Sequence, residues 1–351
     1  MNLNTHMIST SIIATEIVLP GTVEPSGLVT RQRSLPAIRP GEALVQMEAT
    51  GISFAEQAMR RGLYPGQPAF PFVPGYDLVG RIVAVGESVS GKRMGTRVAA
   101  VTKVGGWASH VMVPARSLVA VPDGVTAVQA ETVLVNGVTA WQMLFREVEA
   151  KAGQTILVHG ANGGVGTVLC QLGRHFGVRV IGTASPRHHD ALRAMGVEPV
   201  DYNALDLPEQ IRALAPSGVD AAFDHLGLES ARMSYRLLNR SGSLVVYGNA
   251  SAFGQKTSMA RVFLRLMGQL LLWKLWPRGH YVTFYNFWAG RLLRPSAFRD
   301  RLKQDLAALF ELLQTGAIDP TVAATFPLAD VRTAMSLAES RTVRGKVVLV
   351  S

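Results

Sequence analysis

The fold is decided by the stretch Ile156-Leu157-Val158-His159-Gly160-Ala161-Asn162-Gly163-Gly164-Val165-Gly166-Thr167. A short apolar run enters a glycine cluster, and a helical pattern follows over residues 165–176 until Gly177 stops it. This order is typical of a dinucleotide site, because glycines let the backbone approach a pyrophosphate and the helix N-terminus offers unpaired N–H groups. The spacing is looser than G-x-G-x-x-G, so the alternative is a turn that needs glycine only for packing.

The composition is that of a large globular chain. Its 351 residues are 48% apolar and 17% charged, which is enough for two domains with buried cores. The single cysteine, Cys170, excludes a disulfide framework and a multi-cysteine zinc lobe. The net charge of +10 comes from scattered arginines, with no basic run that alternates with aromatics. It therefore predicts attraction of a polyanionic cofactor and no binding of nucleic acid.

The sequence has no pattern typical of export or membrane insertion. Residues 1–6 lack the charged and then apolar build of a signal peptide. The most apolar region, residues 259–276, is interrupted by Arg261, Arg265 and Lys274, so no uncharged run is long enough to span a bilayer. We therefore expect a soluble, cytoplasmic protein without stable membrane insertion.

Periodicity divides the chain into two kinds of structure. Residues 1–134 contain short apolar strands separated by glycine and proline turns, which is typical of a barrel-like or sandwich domain. Strands and helices then alternate, which predicts a doubly wound parallel sheet. The tail holds an amphipathic helix and a final strand, which we expect to return to the first domain. We predict parallel strands over 155–158, 178–182, 199–201, 219–223 and 243–247, helices over 127–145, 165–176, 188–195 and 230–238, and a last strand over 346–350.

The end of the second parallel strand indicates which cofactor is bound. An NAD site places an acidic residue there, about 20 residues beyond the glycine turn, to bind the ribose 2′-OH. Residues 181–189 carry no Asp or Glu and instead offer the hydroxyl of Ser185 and the guanidinium of Arg187, which would bind a 2′-phosphate. We therefore predict NADPH. The alternative is that Arg187 is a solvated surface charge.

Further segments carry a family resemblance: residues 51–56 with 61–64, 74–83, 136–140, 159–166 and 316–349. Together they resemble the zinc-independent quinone oxidoreductases of the medium-chain dehydrogenase/reductase superfamily, including the branch of the vesicle amine transport protein. The resemblance implies an α/β fold with a GroES-like β-rich catalytic domain and a Rossmann NADP-binding domain. The first would comprise residues 1–134 and 291–351 and the second residues 135–290, with the active site in the cleft. It also implies a homodimer.

The glycine loop, the strand ends and the resemblance together give the predicted cofactor site. By resemblance, Tyr202 lies near the adenosine phosphate, whereas Thr139, Asn249 and Phe284 lie near the nicotinamide and its ribose. Gly227 follows a predicted strand and permits close approach to the cofactor. The predicted cofactor-binding residues are Asn136, Thr139, Gly160, Asn162, Gly163, Gly164, Val165, Gly166, Ser185, Arg187, Tyr202, Gly227, Asn249 and Phe284.

The positions that hold zinc in related alcohol dehydrogenases lack their ligands here. Those enzymes have Cys at or beside the position of Ser53, and Gly-His-Glu where this chain has Gly75-Tyr76-Asp77. Because catalytic zinc needs three protein ligands, we predict no metal site and a zinc-independent enzyme. Without a Lewis acid, hydride addition to a conjugated acceptor is easier than addition to a simple ketone.

We therefore predict NADPH-dependent hydride transfer to a hydrophobic conjugated substrate, a quinone or an α,β-unsaturated carbonyl. Negative charge would develop on the acceptor oxygen, and Ser53 and Tyr64 are the candidate catalytic donors. The proton would come from Tyr64 or from water, and Ser53 has the alternative role of a strand-end hydroxyl bonded to the backbone. Two other functions stay open: a biosynthetic enoyl or enone reductase of the same fold, and a structural or membrane-associated NADPH-binding protein with little turnover.

Residues 259–288 concentrate apolar and aromatic side chains. Three interpretations are open for this segment: core packing with a dimer interface, an apolar lid over a hydrophobic acceptor, or weak contact of a basic amphipathic helix with a membrane surface.

Overall fold

The computed structural model describes residues 12–91, 93–251, 259–275 and 279–351. The residues on which the expected absence of a signal peptide rests, 1–6, lie outside this part, as does Trp276 in the apolar segment. No helix within the described part is both long enough and apolar enough to cross a membrane.

Strands and helices share the described chain in two groups that match the two predicted kinds of structure. The strands are β1 (Ile13–Val18), β2 (Val29–Ser34), β3 (Glu42–Ile52), β4 (Asp77–Val85), β5 (Arg97–Val101), β6 (His110–Pro114), β7 (Val119–Ala120), β8 (Thr155–His159), β9 (Arg179–Ala184), β10 (Val197–Asp201), β11 (Val219–Asp224), β12 (Leu238–Val246), β13 (Tyr281–Phe284), β14 (Val322–Pro327) and β15 (Lys346–Val350). The α-helices are α1 (Phe54–Arg60), α2 (Ala127–Thr132), α3 (Val138–Trp141), α4 (Gly164–His175), α5 (His189–Ala194), α6 (Leu207–Leu214), α7 (Leu228–Leu237), α8 (Met259–Leu275), α9 (Pro295–Gln314) and α10 (Val331–Glu339).

Two large sheets carry the structure. One has the order β14-β15-β3-β4-β5-β7, with β6 also paired to β3, and all its pairs except β14–β15 are antiparallel. The other has the order β10-β9-β8-β11-β12-β13, and all its pairs are parallel. The predicted combination of a β-rich unit with a doubly wound parallel sheet is confirmed.

The end of the chain completes the antiparallel sheet, as the sequence predicts. Strand β15 pairs with β3, and Val348 lies opposite Gly51. Helix α9 precedes it and buries the apolar face that periodicity indicates, which consists of Leu302, Leu306, Leu309, Phe310 and Leu313. The domain limits at residues 134 and 290 stay a prediction.

A nearly continuous helical segment joins the two sheets. Two π-helical stretches, Val133–Gly137 and Gln142–Glu147, flank α3, so the helical backbone extends through the region predicted over 127–145 and slightly beyond. Helix α2 packs against β3 and β4, whereas α3 packs against α4. The segment therefore places residues of its middle part between the antiparallel sheet and the glycine loop.

Predicted and observed boundaries in the parallel sheet differ by a few residues. Strand β9 continues to Ala184, past the predicted end at 182. Strand β12 begins at Leu238 and not at 243, because α7 passes into it without a separating turn. These differences leave the parallel sheet, and so the shared edge at which its strands end, as predicted.

Candidate functional site

The glycine loop lies between β8 and α4 at the carboxyl edge of the parallel sheet. Gly160 has a φ of +65°, and its carbonyl oxygen accepts a hydrogen bond from Gly163 N at 2.9 Å. A Cβ at Gly166 would lie 2.2 Å from that oxygen, and one at Gly164 would lie 2.2 Å from Nδ2 of Asn136. Packing therefore accounts for Gly164 and Gly166.

Packing accounts less well for Gly163, where a Cβ would meet no atom closer than 3.3 Å. Gly163 is the N-cap of α4, and no side chain caps this helix. Its first N–H groups, including that of Val165, are therefore available to an anion, and a small residue beside them leaves room for a pyrophosphate. The loop fits the phosphate chain of a dinucleotide.

The C-terminal turn before β15 leans on the same loop. Gly345 N donates to the carbonyl oxygen of Asn162 at 2.9 Å, and Nδ2 of Asn162 donates to the carbonyl oxygen of Val343 at 3.4 Å. Asn162 is thus held against the turn between α10 and β15. These two bonds join the loop to the turn, and contact of Asn162 with the cofactor stays a prediction.

Three of the predicted cofactor residues lie at or just after the ends of neighbouring parallel strands. Gly227 lies after β11, Asn249 lies after β12, and Phe284 ends β13. A Cβ at Gly227 would lie 2.5 Å from Oδ1 of Asn249, so these two residues are in contact. Nδ2 of Asn249 is buried without a hydrogen-bond partner in the described part of the chain. An unpaired buried donor at this edge fits a polar ligand group.

The helical segment supplies the opposite wall. Asn136 is buried beside Gly164, and Thr139 is buried one turn further on. Tyr285 follows Phe284 and donates from Oη to Oε1 of Gln142 at 2.9 Å, which ties this segment to the end of β13. Tyr285 therefore connects β13 with the helical segment that holds Asn136 and Thr139. The ring of Phe284 lies 5.4 Å from that of Phe263 on α8, so its expected place beside the nicotinamide stays a prediction.

The predicted phosphate residues lie together at the end of β9. Ser185 directly follows the strand, and Tyr202 N donates to the carbonyl oxygen of Ala184 at 3.3 Å. Arg187 is exposed, and its Nη2 donates to the carbonyl oxygen of Arg341 at 3.4 Å. The three predicted residues thus lie at one place on the rim of the parallel sheet, where the neighbouring strands β9 and β10 end.

Two further arginines lie near this point. Arg341 and Arg344 belong to the turn between α10 and β15. Burial lowers the pKa of His188, and the charges of Arg187 and Arg344 lower it further. The rim therefore carries clustered positive charge that suits a phosphate. Of these arginines, only Arg187 was predicted from the sequence.

Histidines beneath the loop belong to a buried hydrogen-bond network. Nε2 of His159 lies 2.9 Å from Oγ of Ser234, which donates to Oδ2 of Asp224 at 3.0 Å. Burial lowers the pKa of His159 and lowers that of His225 to about 4. Both imidazoles are therefore neutral near neutral pH and support the loop without adding charge to it.

Ser53, one of the two candidate donors, caps helix α1. Its Oγ accepts from Ala55 N at 3.2 Å and donates to Oε2 of Glu56, and Ser53 N donates to the same oxygen at 2.9 Å. This is a capping box, and the Ser-x-x-Glu pattern that marks it is readable in the sequence. The hydroxyl hydrogen of Ser53 is therefore engaged, which favours its structural role over its catalytic one.

Tyr64, the other candidate donor, lies in an aromatic cluster. Its Oη is 2.5 Å from Oη of Tyr76, and Nε1 of Trp288 donates to Tyr76 and, at 3.3 Å, to Tyr64. Tyr76 is buried, whereas Tyr64 and Trp288 are partly exposed. Trp288 lies shortly after β13, so the cluster joins the antiparallel sheet to the carboxyl edge of the parallel sheet.

A buried ionic cluster lies behind this site. Nζ of Lys346 is 2.5 Å from Oε1 of Glu131 and 3.4 Å from Oδ2 of Asp77. Burial alone would lower the pKa of Lys346, but the charges of Asp77 and Glu131 raise it above its ordinary value. Glu56 is buried next to this cluster, and burial together with the charge of Asp77 raises its pKa. Sequence reasoning missed all three carboxylates as a group.

No group of three or more His, Cys, Asp or Glu side chains is arranged as a metal site within the described residues. The predicted absence of zinc stays a prediction.

Two family models match the chain. One is described as the alcohol dehydrogenase GroES-like domain and covers residues 39–123, and the other is described as zinc-binding dehydrogenase and covers residues 196–349. The antiparallel sheet described above is therefore GroES-like, and the parallel sheet is that of the dehydrogenase superfamily.

Individual relatives match over most of the chain. The synaptic vesicle membrane protein VAT-1 homolog of Homo sapiens is 33% identical over 326 residues, which are 92% of this chain and 82% of that protein. The quinone oxidoreductase of Salmonella typhimurium is 29% identical over 319 residues, 89% of this chain and 92% of that protein. A solved structure, mycobacterial Rv1454c complexed with NADPH, is 29% identical with a TM-score of 0.81, and the match covers 96% of this chain and 100% of that one. The chain belongs to the quinone oxidoreductase-like family of the medium-chain dehydrogenase/reductase superfamily, in the branch of the VAT-1 homologues.

Proposed function

We propose that this chain is an NADPH-dependent, zinc-independent oxidoreductase that reduces a quinone or an α,β-unsaturated carbonyl. The observation that carries the proposal is the bond from Trp288 to the Tyr64–Tyr76 pair. It brings a partly exposed phenol next to the edge at which β13 ends and the glycine loop begins. A proton donor, Tyr64, and the glycine loop that would bind the dinucleotide then face one cleft.

The residues of the predicted cofactor site would hold NADPH through hydrogen bonds and opposite charge. The N–H groups at the start of α4 bind the pyrophosphate, and Ser185, Arg187 and Tyr202 bind the 2′-phosphate. Asn249 offers its unpaired Nδ2 to the nicotinamide ribose. When bound, NADPH supplies the hydride; the related mycobacterial protein has been solved in complex with NADPH.

Tyr64 acts on the acceptor oxygen. Hydride addition leaves negative charge there, and the Tyr64 hydroxyl stabilises this charge and gives up its proton. Burial raises the pKa of Tyr64, so the hydroxyl is protonated near neutral pH and can act as a donor. Ser53 holds α1 in place through its capping box, and the catalytic role first considered for it is not part of the proposal.

The test of this function is turnover. With purified protein, we expect NADPH to be consumed in the presence of a panel of quinones and enones, at rates that saturate with the acceptor. A biosynthetic enoyl reductase would accept conjugated thioesters and not quinones. A protein that binds NADPH tightly but oxidises it with no acceptor would instead have a structural or membrane-associated function. The name of the human relative, a synaptic vesicle membrane protein, is the observation that favours this alternative.

Helix α8 supports the proposal that the chain forms a homodimer. Leu266 and Leu270 are buried against the sheet, but one outward face is apolar and exposed. It consists of Leu264, Gly268, Leu271, Leu272 and Leu275. Helix α8 packs on β13, and the far edge of β13 pairs with no other strand of the described residues. A second copy of the chain would cover both.

The dimer proposal makes a measurable prediction. Light scattering of the purified chain should give the mass of a dimer, and Leu271→Glu should give that of a monomer, because a charge would be buried at the interface. A monomeric wild-type protein that binds anionic vesicles would assign α8 to a membrane surface instead. Cytoplasmic location stays a prediction from the sequence.

A further inference from the structure

Tyr76 is a buried residue that the sequence analysis placed only by analogy with a zinc ligand. It is 4% exposed, and its ring packs edge-on against Tyr64 with centroids 5.9 Å apart. Its ring also lies 5.1 Å from that of Trp288. Its hydroxyl has two partners in the described structure, Oη of Tyr64 and Nε1 of Trp288. The hydrogen atoms of these three groups determine how Tyr64 can act.

The direction of the hydrogen bonds follows from what each group can donate. An indole N–H only donates, so Trp288 must give its hydrogen to a tyrosine oxygen. Each phenol has one hydrogen, and one of the two lies between Tyr64 and Tyr76. Tyr76 is buried and has no other acceptor among the described residues, so turning its hydrogen elsewhere would leave a buried donor unpaired. Tyr64 is partly exposed and can turn its hydrogen to the cleft.

The ionisation of the two phenols agrees with this direction. Burial raises the pKa of both Tyr64 and Tyr76. The hydrogen bond between the two hydroxyls lowers the pKa of Tyr64 and raises the pKa of Tyr76. Tyr64 is therefore the phenol that loses its proton first, while Tyr76 keeps its proton as a hydrogen-bond donor.

We propose that Tyr76 and Trp288 are positioning residues that turn the hydroxyl hydrogen of Tyr64 toward the acceptor. The bonds run from Trp288 N–H to Tyr76 Oη, from Tyr76 O–H to Tyr64 Oη, and from Tyr64 O–H into the cleft. Each bond in such a chain polarises the next. This inference rests on the proposed function, because it concerns the same proton.

The proton balance closes without a further reactant. Hydride adds to the acceptor carbon, the electron pair moves to the acceptor oxygen, and that oxygen takes the proton of Tyr64. The Tyr64 phenolate is held by the bond from Tyr76 and is protonated again from solvent through its exposed side. Tyr76 and Trp288 keep their hydrogens throughout.

The experiment is a double-mutant cycle on Tyr64 and Tyr76. With the acceptor that wild type reduces best, Tyr76→Phe should lower kcat by about tenfold and leave KM within about twofold. In a Tyr64→Phe background, Tyr76→Phe should cause no further loss, because it acts only through Tyr64. Trp288→Phe, which keeps a ring but removes the N–H, should reduce kcat by a smaller factor.

Tyr235→Phe is the matched control. Its hydroxyl is buried without a hydrogen-bond partner in the described chain, and its ring stacks on Trp273 in a hydrophobic cluster separate from that of Tyr76. Removing this hydroxyl should leave kcat and KM as in wild type. Independent losses that multiply in the double variant would contradict the proposal and assign Tyr76 a packing role.

A titration separates this inference from the proposed function. The difference in tyrosinate absorbance between wild type and Tyr64→Phe reports the ionisation of Tyr64 and needs no turnover. Loss of the bond from Tyr76 should raise the pKa of Tyr64. The same difference, taken between Tyr76→Phe and the double variant, should therefore move to higher pH, and so should the alkaline limb of the pH profile of kcat. An unmoved titration would overturn the inference. A wild type that reduces no acceptor would overturn only the proposed function.

Discussion

Replacing Arg187 by alanine is expected to weaken NADPH binding by about tenfold to a hundredfold and to change NADH binding by less than about twofold. The guanidinium stands at the end of β9, where no carboxylate precedes Asp190 in the loop. Its partner within the described residues is a single backbone oxygen, that of Arg341 at 3.4 Å, so the side chain can reorient toward a phosphate. The two cofactors differ by the 2′-phosphate alone, and the selectivity of the loss identifies the contact.

Arg193→Ala is the matched control for this variant. Arg193 lies on α5, a short distance along the chain, and pairs with Asp190 on the surface at 2.7 Å. Its removal lowers the net charge by the same amount but should leave both dissociation constants within about twofold. Fluorescence titration with NADPH and NADH measures all four values. Equal weakening of both cofactors by Arg187→Ala would refute the contact with the 2′-phosphate, and no change in either affinity would favour the alternative of a solvated surface arginine.

The parallel sheet could be predicted because its local signals are strong. Strand β8 is buried along most of its length, so it reads as an apolar run, and Gly160 and Gly177 both have positive φ where the chain turns. Such signals are local and survive without knowledge of the partner strands. Strand β2 is exposed at every position and β13 has four residues, so neither carries a usable period.

The site was less predictable, because its contacts join distant parts of the chain. Trp288 meets Tyr76 across 212 positions, and Arg187 meets Arg341 across 154. No spacing rule relates residues so far apart. That the residues after the parallel strands meet at one edge could be predicted, since topology alone brings the strand ends together. Their contact with a cofactor stays a prediction. The capping role of Ser53 was also readable locally, in the Ser-x-x-Glu pattern that ends at Glu56.

Replacing Lys346 by methionine is expected to lower the free energy of unfolding by about 3–5 kcal/mol. Lys346 is 3% exposed, and its ammonium lies between the buried carboxylates of Glu131 and Asp77. Burial already raises the pKa of Glu131 well above its ordinary value, and the charge of Lys346 is what opposes this shift. Without the ammonium, the two carboxylates must either share a buried site as like charges or take up protons.

Two variants show whether charge or packing causes the loss. Arg179→Met removes a cation from the exposed pair with Glu198, and should cost no more than about 1 kcal/mol because water screens that pair. Lys346→Met combined with Glu131→Gln should recover part of the stability lost in the single variant, since it removes the nearer of the two uncompensated charges. Urea unfolding followed by circular dichroism measures each value. If the double variant were as unstable as the sum of both single ones, the ammonium would stabilise β15 through packing rather than charge.

Because β15 pairs with β3 while the turn before it holds Asn162, the same loss of stability should also loosen the glycine loop and weaken NADPH binding.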